Sequence, residues 1–302
     1  MARFLIMGAG AVGGYYGARL TEAGHQVELV ARGPHLDAIR TRGLTLESVQ
    51  GTRTHTLAAS DAVGDLTSHP DYIFFAVKSF DTDGGIEQLR GIIGPETLIL
   101  GIQNGIENHD KLVEAFGAKR VLRGYCRMNA EVVEPGSIRQ TRFAELVFGE
   151  DDGRSTSRVE ALKTLLDKAG IDYLVPTDIR RAVWVKFTWN AVHNVLTGLL
   201  HKTVIDLYRD EQLVALMHRM GEELLTVAHA EGIDLKKSDV EDVIAEGRKL
   251  GAFRTSTYQD RERGRRLEWD AFTGAVVRAG RRNGVPTPVY DTLDALYRGL
   301  DM

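Results

Sequence analysis

Apolar and polar positions follow a two-part pattern along the chain. In the first part, short and almost wholly apolar runs alternate with amphipathic stretches. The runs RFLIM (3–7), QVELVA (26–31), YIFFAV (72–77), TLILGI (97–102), VLRGY (121–125) and AELVF (144–148) read as strands. Their near-continuous apolarity is what a parallel strand needs when both faces are covered. Stretches such as VGGYYGARLTEAG (12–24) and HDKLVEAFG (109–117) carry helical spacing between them,. Alternating β and α segments predict a doubly wound parallel sheet of Rossmann type. The segment GLTLESVQGTRTHTL (43–57) instead alternates polar and apolar residues around Gln50-Gly51. It predicts a hairpin-like excursion in the same domain.

The pattern changes at DYLVPTDI (172–179). Beyond Pro176 no segment reads as a strand. Residues 177–200 predict one long helix with Thr177 or Asp178 as its N-cap,. Residues 210–232 predict another, stopped by Gly232, and residues 238–251, 267–284 and 287–300 predict three more. The expectation is an α/β dinucleotide-binding domain over residues 1–177 and an all-helical substrate domain over 178–302. A length of 302 residues suits two cores,.

Composition narrows the function. The net charge of −4 gives no electrostatic case for nucleic acid, and Arg261–Arg266 (RERGRR) reads as a solvated loop or helix face,. No apolar run approaches the ~18 residues that a membrane span requires. Glycines in the apolar N-terminal run argue against a signal peptide. The single cysteine, Cys126, excludes an internal disulfide, reads as an inert core thiol and suits a reducing cytoplasm,. Histidines lack metal-ligand spacing, so no metal is expected. The apolar surface of the C-terminal helices would serve a homodimer as well as a core.

The first candidate chemistry lies between the first predicted strand and helix. Gly8-Ala9-Gly10-Ala11-Val12-Gly13 matches G-x-G-x-x-G, with a second strand ending about 20 residues later,. Gly8 would permit the tight turn, Gly10 would let a pyrophosphate approach the backbone, and Gly13 would seat the helix on the strand. The phosphates would then meet the free N–H groups of the helix start. NAD sites usually place an acid at the end of the second strand. Here VAR ends in Arg32, whose guanidinium fork suits a ribose 2′-phosphate, so NADP is expected over NAD.

Lys78 and Asn104 follow the third and fourth apolar runs, at carboxyl ends where open α/β sheets bind ligands,. On the long predicted helix, Lys186, Asn190 and Asn194 recur every four residues, at about 0°, 40° and 80° around the axis,. His193 and Thr197 fall near the same face, where His193 taken alone reads as a core histidine. The surrounding residues, among them Trp184, Phe187, Trp189 and Val192, are apolar. Such a polar stripe must meet solvent, a buried network or a ligand. Amides with a single charge are unlike an ordinary Glu- and Lys-rich solvated face. A lysine there could stabilise and protonate a carbonyl oxygen receiving a hydride.

Taken together, GAGAVGG with VAR, FAVKSFD, IQNGIEN, PGSI, VWVKFTWNAVHNVLTGL, STYQDRERGRRLEWD and NGVPTP resemble the ketopantoate reductase (2-dehydropantoate 2-reductase) family across nearly the whole chain. The resemblance implies a Rossmann domain followed by a helical domain, with an active site between them. It also implies NADPH-dependent reduction of a 2-oxo acid in pantothenate biosynthesis. By that resemblance Lys186 is the general acid, and Asn190 and Asn194 orient the substrate. Lys78 and Asn104 bridge nicotinamide and substrate, Ser256 binds the substrate's acid end, and Glu268 reaches the cofactor and helps hold the site. Two departures stand out: Val204 and Phe253 occupy positions near which pantoate-binding members carry amides. They leave open a reductase for a more apolar 2-oxo acid. A non-enzymatic NADP-binding sensor is the alternative of a different class.

Overall fold

A computed structural model describes residues 1–63 and 69–300. The chain forms two compact units, and the division is not contiguous. Residues 1–103 and 108–179 make an α/β unit, while residues 104–107 group with 180–302 in a helical one.

The α/β unit contains strands β1 (Arg3–Met7), β2 (Gln26–Val30), β3 (Leu44–Ser48), β4 (Gly51–His55), β5 (Ala58–Ser60), β6 (Tyr72–Phe75), β7 (Leu98–Gly101), β8 (Val121–Glu134), β9 (Ser137–Gly149) and β10 (Asp172–Leu174). They form one sheet in the order β4-β3-β9-β8-β7-β6-β1-β2-β5, with β10 paired to β9. Pairing is parallel from β5 through β2, β1, β6 and β7 to β8. Leaving aside the β3–β4 pair, this is the 3-2-1-4-5-6 order of a Rossmann sheet, with its switch point between β1 and β6. Helices α1 (Ala11–Glu22), α2 (Gly33–Arg42), α3 (Thr82–Leu89), α4 (Asn108–Phe116) and α5 (Ser157–Lys168) alternate with the strands.

The two-sided covering follows from the period of two along each strand. Phe4 and Ile6 of β1 join one core with Tyr16 and Leu20 of α1 and Leu162 of α5. Leu5 and Met7 join the other with Ile86 and Leu89 of α3 and Leu112 of α4. The Gln50-Gly51 signal is a true hairpin: β3 and β4 pair antiparallel, with Ser48 opposite Gly51.

VLRGY and AELVF are strands as expected, VLRGY parallel to β7 and AELVF parallel to β10, but their pattern does not show that they also pair with each other. They are the ends of a long antiparallel hairpin, with Arg123 opposite Gly149 and Glu134 opposite Ser137 across the Pro135-Gly136 turn. Register shifts at Met128/Ala130 and Val132/Glu134 break the alternation that would have marked it,. Cys126 lies within β8, partly buried against the first core.

The helical unit contains α6 (Ile179–Trp189), a π-helical turn (Asn190–Asn194), α7 (Val195–Leu200), α8 (Val204–Leu207), α9 (Glu211–Ala230), α10 (Lys237–Gly247), α11 (Ser256–Glu262), α12 (Thr273–Asn283) and α13 (Pro288–Leu300). Asp178 stands immediately before α6. Asp210 caps α9 by accepting from the Gln212 N–H at 2.8 Å. On α9 the buried Met217, Met220, Leu224, Val227 and Ala228 repeat at three- and four-residue spacing, the stripe that buries one helix face,. In the RERGRR run residues 262–266 are exposed, as a solvated face requires, while Arg261, near the end of α11, is partly buried and donates to the Gly198 and Leu199 carbonyls of α7. Among the described residues, no helix is long and apolar enough to cross a membrane.

Candidate active site

The glycine loop is built as its sequence requires. Gly8 has φ +101°, and a Cβ there would lie 2.8–2.9 Å from the Ala76 and Val77 backbone. A Cβ on Gly13 would come within 2.1 Å of the Gly8 carbonyl oxygen and 2.8 Å of Ile6 Cγ2, so α1 can sit on β1 only with glycine there. Around the Cβ position of Gly10 nothing lies within 4 Å. Gly10 is the N-cap of α1 and offers no side-chain cap, and no acid stands in the first turn. The N-terminal N–H groups of α1, beginning at Ala11 and Val12, therefore face an open approach with the positive end of the helix dipole. This geometry fits a dinucleotide pyrophosphate.

The loop is tied to the strand that carries Arg32. Gly8 N–H and Ala9 N–H both donate to the Val30 carbonyl, at 3.2 and 2.8 Å. Arg32 follows two residues later, as N-cap of α2. Its half-exposed guanidinium lies 3.3 Å from the Asp81 carboxylate. Asp81 closes a 3₁₀ turn (Ser79–Asp81) whose N-cap is Lys78, just past β6. One group here carries no motif. His35 Nδ1 accepts from Gly136 N–H at 3.0 Å, which leaves Nε2 to donate to the Ala9 carbonyl at 2.9 Å. A lone histidine in a helix gives no sequence signal for such a role.

In the helical unit, Lys186 Nζ donates to Asn190 Oδ1 at 3.0 Å. Asn190 Nδ2 donates to Asn104 Oδ1 at 3.2 Å. Asn194 Nδ2 donates to Ser256 Oγ at 3.1 Å, and its buried Oδ1 has no hydrogen-bond partner among the described residues. Asn190 and Asn194 are both 2% exposed, so this stripe is not a solvated face. The structure thus brings together Lys186, Asn190 and Asn104, and separately Asn194 and Ser256. Glu268 is buried just before a 3₁₀ turn (Trp269–Ala271).

The helical-wheel estimate holds from Lys186 to Asn190 and fails at Asn194, because residues 190–194 form a π turn. The wider turn disturbs the regular carbonyl ladder, and side chains supply donors along it. Thr197 Oγ1 donates to the His193 carbonyl at 2.7 Å, and the Tyr290 and Tyr297 hydroxyls reach the Ala191 and Val195 carbonyls. His193 itself is fully buried and stacked on Trp189 at 4.0 Å. Its Nε2 lies 2.6 Å from the Tyr208 hydroxyl, which donates onward to the Ile244 carbonyl. Nε2 must therefore carry the proton, and Nδ1 is buried without a partner among the described residues. Burial lowers the His193 pKa to about 3, so the ring is neutral,.

Val204 and Phe253 are neighbours: Val204 N–H donates to the Phe253 carbonyl at 2.9 Å. Val204 is fully buried. Phe253 is partly exposed and meets the edge of Trp189, with ring centroids 6.2 Å apart.

Comparison with known proteins decides the family. Residues 4–153 match the family profile described as Ketopantoate reductase PanE/ApbA, and residues 178–301 match its C-terminal counterpart. The chain belongs to the ketopantoate reductase family. It is an oxidoreductase acting on a CH–OH group. A 2-dehydropantoate 2-reductase of Mesorhizobium japonicum is 30% identical, over 99% of this chain and 97% of the relative. A PanE/ApbA family ketopantoate reductase from Ralstonia eutropha superimposes with a TM-score of 0.91 at 33% identity, over 98% of this chain and 97% of that one. A D-mandelate dehydrogenase solved with NADH and anilino(oxo)acetate shares the fold, with a TM-score of 0.88 at 24% identity over 98% and 97% of the two chains.

Proposed function

We propose that this ketopantoate reductase family member reduces a 2-oxo acid with NADPH, 2-dehydropantoate to (R)-pantoate being the first candidate. The observation that carries the reading is the chain of hydrogen bonds from Lys186 through Asn190 to Asn104. Reduced nicotinamide supplies the hydride when the cofactor is bound. Lys186 stabilises the negative charge that builds on the 2-oxo oxygen and donates the proton that completes the hydroxyl. Asn190 orients the ammonium, and Asn194 with Ser256 offers an amide and a hydroxyl to the substrate's polar groups. Ala9 to Gly13 and Arg32 hold the nucleotide, with Lys78, Asn104 and Glu268 on its nicotinamide side.

A second reading has its own support. The partly exposed Phe253 edge on Trp189 is an apolar aromatic surface in the same helical unit. It favours a 2-oxo acid with an apolar side chain over hydroxylated 2-dehydropantoate, whose hydroxyl would lack a partner against such a surface.

One panel tests both readings: oxidation of NADPH and NADH with 2-dehydropantoate and with branched and aromatic 2-oxo acids. Turnover with none of them would end the reductase reading. Preference for 2-dehydropantoate by kcat/KM would end the second. The same assay reads the cofactor. Arg32→Ala removes a charge-assisted contact worth about 1.5–3 kcal/mol, so KM for NADPH should rise about 10- to 100-fold. KM for NADH should change by less than about three-fold; equal changes would exclude a 2′-phosphate role.

A further inference from the structure

Residues 104–107 carry an ion pair that the chemistry described so far leaves unused. Glu107 ends the short segment that groups with the helical unit. Its carboxylate receives Arg278 of α12: Arg278 Nη2 lies 2.6 Å from Glu107 Oε2, and Nε lies 3.1 Å from Oε1. This is the two-pronged arrangement in which a guanidinium fixes a carboxylate in direction as well as distance. Arg278 is itself held, by Asp270 Oδ1 at 2.8 Å through Nη1 and by the Asp270 carbonyl at 3.0 Å through Nη2. Arg282, one helical turn later, lies 3.6 Å from Glu107 Oε1 and anchors to Glu231 at 2.8 Å. Glu107 and then Asp270 push the Arg278 pKa further up, so the guanidinium stays charged.

Three residues before Glu107 stands Asn104. Between them Gly105 turns the backbone at φ +98°, and Ile106 is buried. Asn104 Oδ1 receives Asn190 Nδ2, and Asn190 Oδ1 receives Lys186 Nζ. The order fixes every amide: an ammonium can only donate, so Asn190 must turn its oxygen to Lys186 and its nitrogen to Asn104. We propose that the Glu107–Arg278 pair is a positioning device, which holds Asn104 against Asn190 and thereby sets the direction of the Lys186 ammonium. The inference rests on the proposed acid role of Lys186. Neither Glu107 nor Arg278 is assigned contact with substrate or cofactor.

Arg278 is 41% exposed, and pairs of that exposure contribute about 0–1 kcal/mol to stability,. Loss of the pair should therefore appear in the rate rather than in folding. Glu107→Gln and Arg278→Gln are each expected to lower kcat about 10-fold, with KM for NADPH within two-fold and the melting temperature within a few degrees. Arg278→Lys, which keeps the charge but loses the two-pronged contact, should recover only part of the kcat lost in Arg278→Gln. Arg281→Gln, which removes an exposed Asp291 contact on the same helix, serves as the control and should turn over like the native enzyme. Native kcat in both single variants overturns the proposal. So does a fall in kcat that tracks the loss of folded protein by circular dichroism, or one matched by Arg281→Gln. Absence of turnover in the native protein with every 2-oxo acid would instead remove the reductase reading on which the proposal stands.

Discussion

Lys186→Ala is expected to lower kcat by about 10³-fold, the range expected when a proton donor that also stabilises a developing oxyanion is removed. Lys186 is held by a neutral amide, Asn190, at 3.0 Å. The glycine loop and Arg32 are untouched by the substitution, so fluorescence titration should give a Kd for NADPH within about three-fold of the native value. Lys186→Arg should recover little, because a planar fork cannot take the ammonium's place at 3.0 Å from Asn190. A kcat within five-fold of native in Lys186→Ala would remove the proposed mechanism. A matching loss of NADPH binding would move Lys186 from the reaction to the cofactor.

Acid should weaken the fold through His193. The folded pKa is lowered to about 3 by burial, against an unperturbed value of 6.5. Below 6.5 the unfolded chain takes up a proton that the folded one refuses. Stability thus falls as pH drops from about 6.5 and levels off near 3. At about 1.36 kcal/mol per pH unit, the full span amounts to on the order of 4–5 kcal/mol. His25 and His55, also lowered by burial, act in the same upper window. Asp71 and Glu150, held low by arginine partners, and Asp151, held low by hydrogen bonds from His109 and Arg123, lose that benefit at lower pH. The His193 share is isolated by His193→Gln, which can still donate to Tyr208. Urea unfolding should show this variant less stable at pH 8, by about 1–2 kcal/mol for lost stacking and packing. It should also lose less than the native chain between pH 7 and pH 4.5. Parallel pH profiles would show that His193 does not titrate as its burial implies.

The parts of the fold set by local chemistry could be read from the chain. Apolar runs such as RFLIM and TLILGI announce strands covered on both faces, and Gln50-Gly51 announces a hairpin. Gly8, Gly10 and Gly13 are explained one by one by a positive φ, an open approach and a helix contact. Where pairing overrides pattern, the chain was silent. The β8–β9 hairpin hides its length behind two register shifts, and β10 is three residues that mean nothing without β9. The same limit applies at the site. Lys186, Asn190 and Asn194 stand out by spacing, but a π turn has no distinct composition, so the direction of Asn194 was lost. His35 and Arg278 act on residues far away in sequence, the latter on Glu107 across 171 positions, and only folding reveals them.

The four residues from Asn104 to Glu107 bear on how such enzymes can be recombined. They are encoded amid the α/β unit, between β7 and α4, yet they group with the helices. A chimaera joined to a homologue's C-terminal half at residue 179 would set a foreign Asn104–Glu107 stretch against α12. Its designer would need to transplant that tetrapeptide together with the helices, as a second, non-adjacent crossover.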